Sequence, residues 1–115
     1  MPTMNLPLVA DATCCARLVK EPLDAAAADD LAHTLKALAD PVRLRLLSIV
    51  ASAEGAEACV CDLLEPVGLS QPTVSHHLKV LTEAGFLTRT KRGTWAFYAL
   101  VPGALEEVAQ WLTAP

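Results

Sequence analysis

The 115-residue sequence has no long hydrophobic run. Although 53% of its residues are hydrophobic, none of its apolar stretches approaches the roughly 20 residues that span a bilayer. The first seven residues also lack the basic start and the apolar core of a signal peptide. These absences predict a protein of the cytoplasm with no membrane contact. Charged residues make up only 19% of the chain, which predicts one folded domain with surplus apolar surface buried in an oligomer.

Positive charge is scarce in most of the chain and concentrated in one segment. Residues 1–69 hold five Lys and Arg against ten Asp and Glu, whereas residues 70–95 hold four against Glu83 alone. The net charge of -4 therefore conceals a segment with three excess positive charges (four minus one). Such a local concentration indicates contact with an anionic polymer such as DNA.

Residues 70–85 predict an amphipathic helix suited to that contact. Val74, Leu78 and Leu81 recur at helical spacing and predict a stripe that faces a core. The opposite face carries basic and short hydrogen-bonding side chains, which favour base edges and phosphates in a major groove. The predicted DNA-contacting residues of this helix are Gln71, Thr73, Ser75, His76, His77 and Lys79. An alternative for the two histidines is that they are merely solvated.

The remaining patterns predict three helices before this one, then a hairpin and a final helix. Two helices, each capped by its aspartate, are predicted from Asp24 to about Leu38 and from Asp40 to about Ala53. After a break at residues 54–57, a short helix is predicted from Cys59 or Cys61 to Leu64, ended by Pro66 and Gly68. The capped helix from Ser70 to Gly85 follows, then strands 86–90 and 94–100 and a last helix after Gly103 to about Leu112. Basic residues at the hairpin tip are expected to contact phosphate: Arg89, Lys91 and Arg92. Trp95, Phe97 and Tyr98 are interpreted as hairpin core.

This order is that of a winged helix-turn-helix, a mainly α (α+β) fold with the sequence α-α-α-α-β-β-α. The last helix carries an apolar stripe that so small a domain has little core to cover, which predicts a homodimer through the first and last helices. Residues 1–22, with Cys14 and Cys15, are expected to form a flexible N-terminal arm. Residues 23–115 are expected to form the DNA-binding and dimerisation domain.

The four cysteines form an adjacent pair, Cys14 and Cys15, and a second pair, Cys59 and Cys61, separated by one residue. Disulfides are the weaker interpretation, because the cytoplasm keeps thiols reduced. The arrangement instead indicates soft-ion or redox chemistry. Residues two apart on a helix are separated by about 200° around its axis. Cys59 and Cys61 can therefore bind one ion only if one of them lies just ahead of the first turn.

Three blocks of the sequence, residues 38–47, 59–63 and 69–81, closely resemble the ArsR/SmtB metal-responsive repressors. They read LADPVRLRLL, CVCDL and LSQPTVSHHLKVL. The resemblance covers roughly residues 24–112 and is greatest to the arsenic-sensing branch, including forms with an adjacent cysteine pair in the N-terminal arm. It implies a homodimeric repressor that binds a two-fold symmetric operator in double-stranded DNA and releases it when a metal or metalloid binds.

The resemblance also implies where the inducer binds. A zinc site of the family on the last helix needs His and Asp residues that 103–115 lack, and a three-cysteine site within the short helix needs a Cys where Leu64 stands. The ligands that remain are Cys14, Cys15, Cys59 and Cys61. Three sulfurs would suit As(III) or Sb(III), whereas four would suit Cd(II), Pb(II) or Zn(II). Whether Cys59 or Cys61 is the main ligand, and whether one or both subunits contribute, stays open.

Two other classes of function use the same cysteines. A thiol redox-sensing repressor would share the fold and respond to oxidants without an ion. An enzyme of thiol redox or arsenate chemistry would need a Cys-x-x-Cys motif or a nucleophilic Cys in a phosphate-type loop. The sequence contains neither, so no enzymatic activity is predicted.

Overall fold

The structure, a computed structural model, describes residues 18–113. Within these residues the elements are α1 (Ala25–Leu38), α2 (Pro41–Ser52), β1 (Glu57–Cys59), α3 (Leu64–Val67), α4 (Gln71–Glu83), β2 (Leu87–Arg92), β3 (Trp95–Leu100) and α5 (Ala104–Leu112). The winged helix-turn-helix is therefore confirmed. No helix among the described residues is long and apolar enough to cross a membrane. The predicted arm, with Cys14 and Cys15, lies outside the described residues apart from its last five positions.

Aspartate caps begin the first two helices as predicted. The Asp24 carboxylate accepts a hydrogen bond from the Ala27 N–H at 2.8 Å, and Asp40 accepts from the N–H groups of Val42 and Arg43 at 2.8 and 3.1 Å. These bonds satisfy helix-start donors that have no partner within the helix. They hold α2 in the orientation from which it supports α4.

The hydrophobic core fixes which face of α4 is exposed. Val74, Leu78 and Leu81 are fully buried, and α4 packs against α1, α2 and β2. Phe86, directly after the turn that ends α4, is also fully buried. Because the predicted stripe is wholly in the core, the polar side of α4 must face outward.

The segment before the helix-turn-helix differs from its prediction. Residues 54–57 were expected to form only a break, and Cys59 or Cys61 to begin a helix. Instead Glu57–Cys59 forms β1, which pairs antiparallel with β3. The sheet order is β1-β3-β2. A three-residue strand is too short to show an alternating hydrophobic pattern in the sequence. It is stabilised by hydrogen bonds to the free edge of β3.

The short helix is also displaced from its predicted position. Its helical part, α3, runs over Leu64–Val67 and contains Pro66, whereas Val60–Asp62 forms a 3₁₀ turn. Pro66 was expected to end the helix, but it lies in the first turn, where its missing N–H would have had no partner. Gly68, with a φ of 69°, supplies the left-handed residue that ends α3.

The hairpin is longer than predicted and its core is smaller. Lys91 and Arg92 belong to β2 rather than to the turn, which is Gly93 and Thr94. Tyr98 is buried as expected, but the interpretation of Trp95 as hairpin core was wrong, because this residue is 47% exposed. It lies at the tip of the hairpin, beyond the β3 residues that pair with β1.

Candidate DNA interface and thiol site

The polar face of α4 presents the predicted contact residues to solvent. Gln71, Thr73, His76 and Lys79 are exposed, and Ser75 and His77 are half-buried. Ser70 occupies the N-cap position, but its hydroxyl donates to Thr73 Oγ1 at 3.1 Å instead of capping a backbone N–H. The start of α4 therefore keeps free N–H groups, which together with the helix dipole favour a phosphate.

His77 contacts the rest of the domain more closely than the other α4 residues do. Arg43 Nη1 lies 3.1 Å from His77 Nδ1, while the same guanidinium donates to the carbonyls of Ala37 and Lys36 at 2.7 and 3.2 Å. A guanidinium only donates hydrogen bonds, so His77 Nδ1 is the acceptor in this contact. Arg43 therefore joins the end of α1 to α4.

Asp40 lies beside this junction and is held as a carboxylate. The hydrogen bond from the Arg43 N–H lowers the pKa of Asp40 below its ordinary value of 3.8, and partial desolvation opposes this effect. The Val42 N–H lowers the pKa further. The charge therefore strengthens the cap of α2.

The three basic hairpin residues differ in their surroundings. Arg92 forms a two-point ion pair with Glu57, with distances of 3.0 and 2.6 Å, and its guanidinium lies 4.5 Å from the centre of the Phe97 ring. Arg89 and Lys91 have no ion pair or hydrogen bond from their side chains to any residue in 18–113. Two of the three predicted phosphate contacts are thus free in the described structure, and the third is engaged within the sheet.

A cleft of about 540 Å³ separates α4 from the hairpin. It is lined by Val60, Gln71, Ser75, Lys79, Thr82, Glu83, Arg89, Lys91, Thr94, Trp95, Ala96 and Tyr98. Arg89 and Lys91 pair across the hairpin with Tyr98 and Ala96, so these four side chains share the sheet face that meets the cleft. The lining contains three basic side chains and one acidic side chain, so the cleft is positively charged.

Cys59 and Cys61 are brought together at the start of the helix-turn-helix. Cys59 is buried at the end of β1 with an extended backbone, and Cys61 is exposed in the 3₁₀ turn that follows. Their Cα atoms are 5.1 Å apart and the two sulfurs form a disulfide. The expectation that disulfides are the weaker interpretation is therefore not met for this pair. The sulfurs converge because one of the two residues lies outside the helical turn.

Cys59 is linked directly to the hairpin. It lies opposite Phe97 in the β1–β3 ladder, and its Sγ accepts a hydrogen bond from the Cys61 N–H at 3.1 Å. Between residues 18 and 113, no three His, Cys, Asp or Glu side chains form a group able to hold a metal ion. Cys14 and Cys15, the other two predicted ligands, lie outside this range.

Two residues of these sites were not predicted from the sequence. Glu57 could be found only from the pairing of β1 with β3, because it and Arg92 are 35 positions apart. Tyr98, interpreted only as core, also lines the cleft. Alternation along β3, which places Tyr98 beside the basic residues of β2, was the available signal.

Known proteins match most of the described chain. The family of bacterial regulatory proteins called the arsR family matches residues 40–89. An arsenical resistance operon repressor from Staphylococcus xylosus is 40% identical over 81 residues, which cover 70% of this chain and 75% of the relative.

Two solved structures match the fold over a similar extent. The crystal structure of the AntR antimony-specific transcriptional repressor has a TM-score of 0.65 and 32% identity, and the match covers 80% of this chain and 83% of that chain. A homodimeric winged helix-turn-helix DNA-binding domain from Mycobacterium bovis, solved by NMR, has a TM-score of 0.59 and 30% identity, with 78% and 80% covered. With this identity and coverage, the chain belongs to the arsR family of bacterial regulatory proteins.

Proposed function

We propose that this protein is a homodimeric transcriptional repressor that binds operator DNA when ligand-free and dissociates when As(III) or Sb(III) binds to cysteine thiolates. The observation that carries the proposal is the convergence of Cys59 and Cys61 immediately before the helix-turn-helix. A sensor at this position can act on the DNA-binding elements directly. The similarity to an arsenical resistance operon repressor and to an antimony-specific repressor supports a metalloid inducer.

The DNA-binding surface consists of the polar face of α4 and the hairpin. Gln71, Thr73, Ser75, His76 and His77 contact base edges or nearby phosphates in the major groove, and Lys79, Arg89, Lys91 and Arg92 contact phosphate. Since most of the charge meets phosphate, binding should weaken steeply as salt rises. Replacing Gln71 should change base preference, whereas replacing Lys79 should weaken all sequences alike.

The inducer binds to reduced thiols. Two-electron reduction of the Cys59–Cys61 disulfide by a thiol reductant, which is itself oxidised to a disulfide, supplies two neighbouring sulfurs. Cys14 or Cys15 of the arm supplies the third. Three thiolates suit As(III) and Sb(III), and a fourth would suit Cd(II), Pb(II) or Zn(II). Cys59 and Cys61 alone complete neither a three-sulfur nor a four-sulfur site. The proposal therefore requires at least one cysteine from the N-terminal arm.

The coupling between inducer and DNA runs through the sheet. Cys59 lies opposite Phe97, the Phe97 ring lies under Arg92, and Arg92 pairs with Glu57 on the same strand as Cys59. Drawing Cys59 toward an ion and the arm shifts β1 and, with it, the hairpin. Allosteric couplings of this kind are typically about 1–3 kcal/mol, and operator DNA must weaken metalloid binding by the same factor.

An anaerobic ultraviolet titration of the reduced protein with arsenite, then with Cd(II), tests the sensor. We expect saturation at one arsenite per subunit, lost in Cys59→Ser and in the double variant with Cys14→Ser and Cys15→Ser. Operator affinity measured in the same samples should fall on arsenite addition in the wild type only. Tight Cd(II) binding with weak arsenite binding would replace the metalloid by a four-sulfur ion, and independent binding of arsenite and DNA would exclude a sensor.

The disulfide favours one alternative function, a thiol redox-sensing repressor. Oxidation of Cys59 and Cys61 to the observed disulfide would act on β1 without any ion. The two functions separate in one comparison of operator affinity, made with oxidised, reduced, and reduced arsenite-treated protein. A change between the first two samples, with none between the last two, supports redox sensing.

A further inference from the structure

The cleft between α4 and the hairpin contains a hydroxyl that the proposed contacts do not use. Tyr98 is only 5% exposed and, with Val60, is one of two buried residues in the cleft lining. Its side chain has no hydrogen bond to any residue of the described chain. A buried tyrosine normally has a partner for its hydroxyl.

Tyr98 is a lining residue of the cleft and shares a sheet face with Arg89, its partner across the hairpin. Among the described residues, no side-chain nitrogen or oxygen is both shielded from solvent and without a partner, so the Tyr98 oxygen must reach a surface. Because the sheet face of Tyr98 meets the cleft, we place its hydroxyl there. The floor of the cleft therefore offers one neutral donor between the basic side chains of its two walls.

The shape of DNA determines what occupies such a cleft. The major and minor grooves are separated by one phosphodiester strand. With α4 in the major groove and the basic hairpin against the backbone, as proposed above, that strand passes between α4 and the hairpin. Lys79 stands on the helix side of the cleft, and Arg89 and Lys91 stand on the hairpin side. Glu83, one helical turn beyond Lys79, is the acidic residue of the lining. It marks the end of the positively charged part of the cleft.

We propose that this cleft seats a phosphate of the DNA strand between the two grooves, and that the Tyr98 hydroxyl donates a hydrogen bond to it. This inference rests on the proposed DNA-binding function and adds a residue to its contact set. The hydroxyl is fixed by the buried ring, so the donor is ordered before DNA arrives. The positive charges of Lys79, Arg89 and Lys91 attract the phosphate. The hydrogen bond from Tyr98 fixes where the phosphate binds.

Tyr98→Phe tests the proposal, because it removes the hydroxyl and keeps the buried ring. The probe is a labelled duplex of about 30 base pairs, long enough for two half-sites, selected from random sequence by the wild-type protein. We expect binding about tenfold weaker, since a hydrogen bond to a charged acceptor is lost. The dependence on salt should not change, because no charge is removed, and the midpoint of thermal unfolding should match the wild type.

Lys79→Gln serves as the matched charge variant. It should weaken binding and lower the slope of log affinity against log salt by about two, about one for each subunit of the dimer. Wild-type affinity in Tyr98→Phe, alongside this loss in Lys79→Gln, would overturn the role of Tyr98 and leave DNA binding intact. Failure of the wild type to bind any duplex in a salt-dependent manner would overturn the proposed function itself. Displacement of the duplex by inorganic phosphate, beyond chloride at equal ionic strength, would assign the cleft to a small anion.

Discussion

Asp40 shows how one side chain sets the orientation of a supporting helix. Its carboxylate accepts hydrogen bonds from two backbone N–H groups at the start of α2. One of them belongs to Arg43, whose guanidinium contacts His77 of α4. The cap therefore determines where the Arg43 guanidinium meets the DNA-contacting helix. A local hydrogen bond thus has an effect on the proposed interface.

Acid should destabilise the protein partly through Asp40. Folding lowers the pKa of this carboxyl below 3.8, so its contribution to stability is complete above that value and is lost as the pH falls through the lower, folded-state pKa. Asp40→Asn keeps the cap acceptor but removes the titration. Thermal unfolding between neutral pH and about pH 2 should show a shallower acid loss in the variant. Asp29→Asn, on the exposed face of α1, controls for charge; equal slopes in all three proteins would contradict the assignment.

Residue-level prediction succeeded where the signal is local. Asp24 and Asp40 were identified as caps because each aspartate bonds to N–H groups two or three residues away. The partner of Arg43 could not be predicted, because His77 is 34 positions distant. Ser70 was correctly placed at the N-cap position of α4. Its hydroxyl bonds to Thr73 instead of a backbone N–H, and this depends on side-chain geometry that the residue type does not reveal.

At the scale of elements, β1 joins the cysteines to the hairpin. Three residues suffice because β3 already has β2 on its other edge, and β1 uses the backbone groups that would otherwise lack partners. The helices and the hairpin could be predicted because each repeats its pattern over several turns or alternations. β1 has no such repeat, so the path from Cys59 to the hairpin emerged only from the fold.

Releasing Arg92 from Glu57 should strengthen DNA binding. The pair is exposed, with side-chain accessibilities of 50% and 31%, so it is worth little and Arg92 can be redirected to phosphate. We expect Glu57→Gln to bind the selected duplex about two- to fivefold more tightly, with a slightly steeper salt dependence.

Glu54→Gln provides the control for the loss of a negative charge near the hairpin. Glu54 is exposed in the 3₁₀ turn just before β1 and forms no ion pair with another described residue. Fluorescence anisotropy across a range of KCl concentrations should separate the two variants. An equal gain in both would mean that the effect is general electrostatics and that Arg92 does not move to the DNA.

At the scale of the whole molecule, apolar surface remains exposed along α5, from its first turn to its last residue. Leu105 and Leu112 are 36% and 38% exposed, although Trp111 between them is buried. The Leu18 N–H donates to the Trp111 carbonyl at 3.0 Å, which places two further exposed apolar residues, Leu18 and Val19, beside this helix. Such a cluster on so small a domain is typical of a subunit interface.

A charged residue in this surface should prevent dimerisation and thereby weaken DNA binding. We expect Leu112→Glu to yield a monomer by sedimentation equilibrium and to weaken binding of the selected two-site duplex about 100-fold, because the second half-site no longer binds intramolecularly. Leu44→Glu is the matched control, since Leu44 is 51% exposed but lies on α2. It should remain dimeric. A Leu112→Glu dimer of normal stability would move the interface away from α5, and a monomer with undiminished affinity would show that each subunit binds DNA independently.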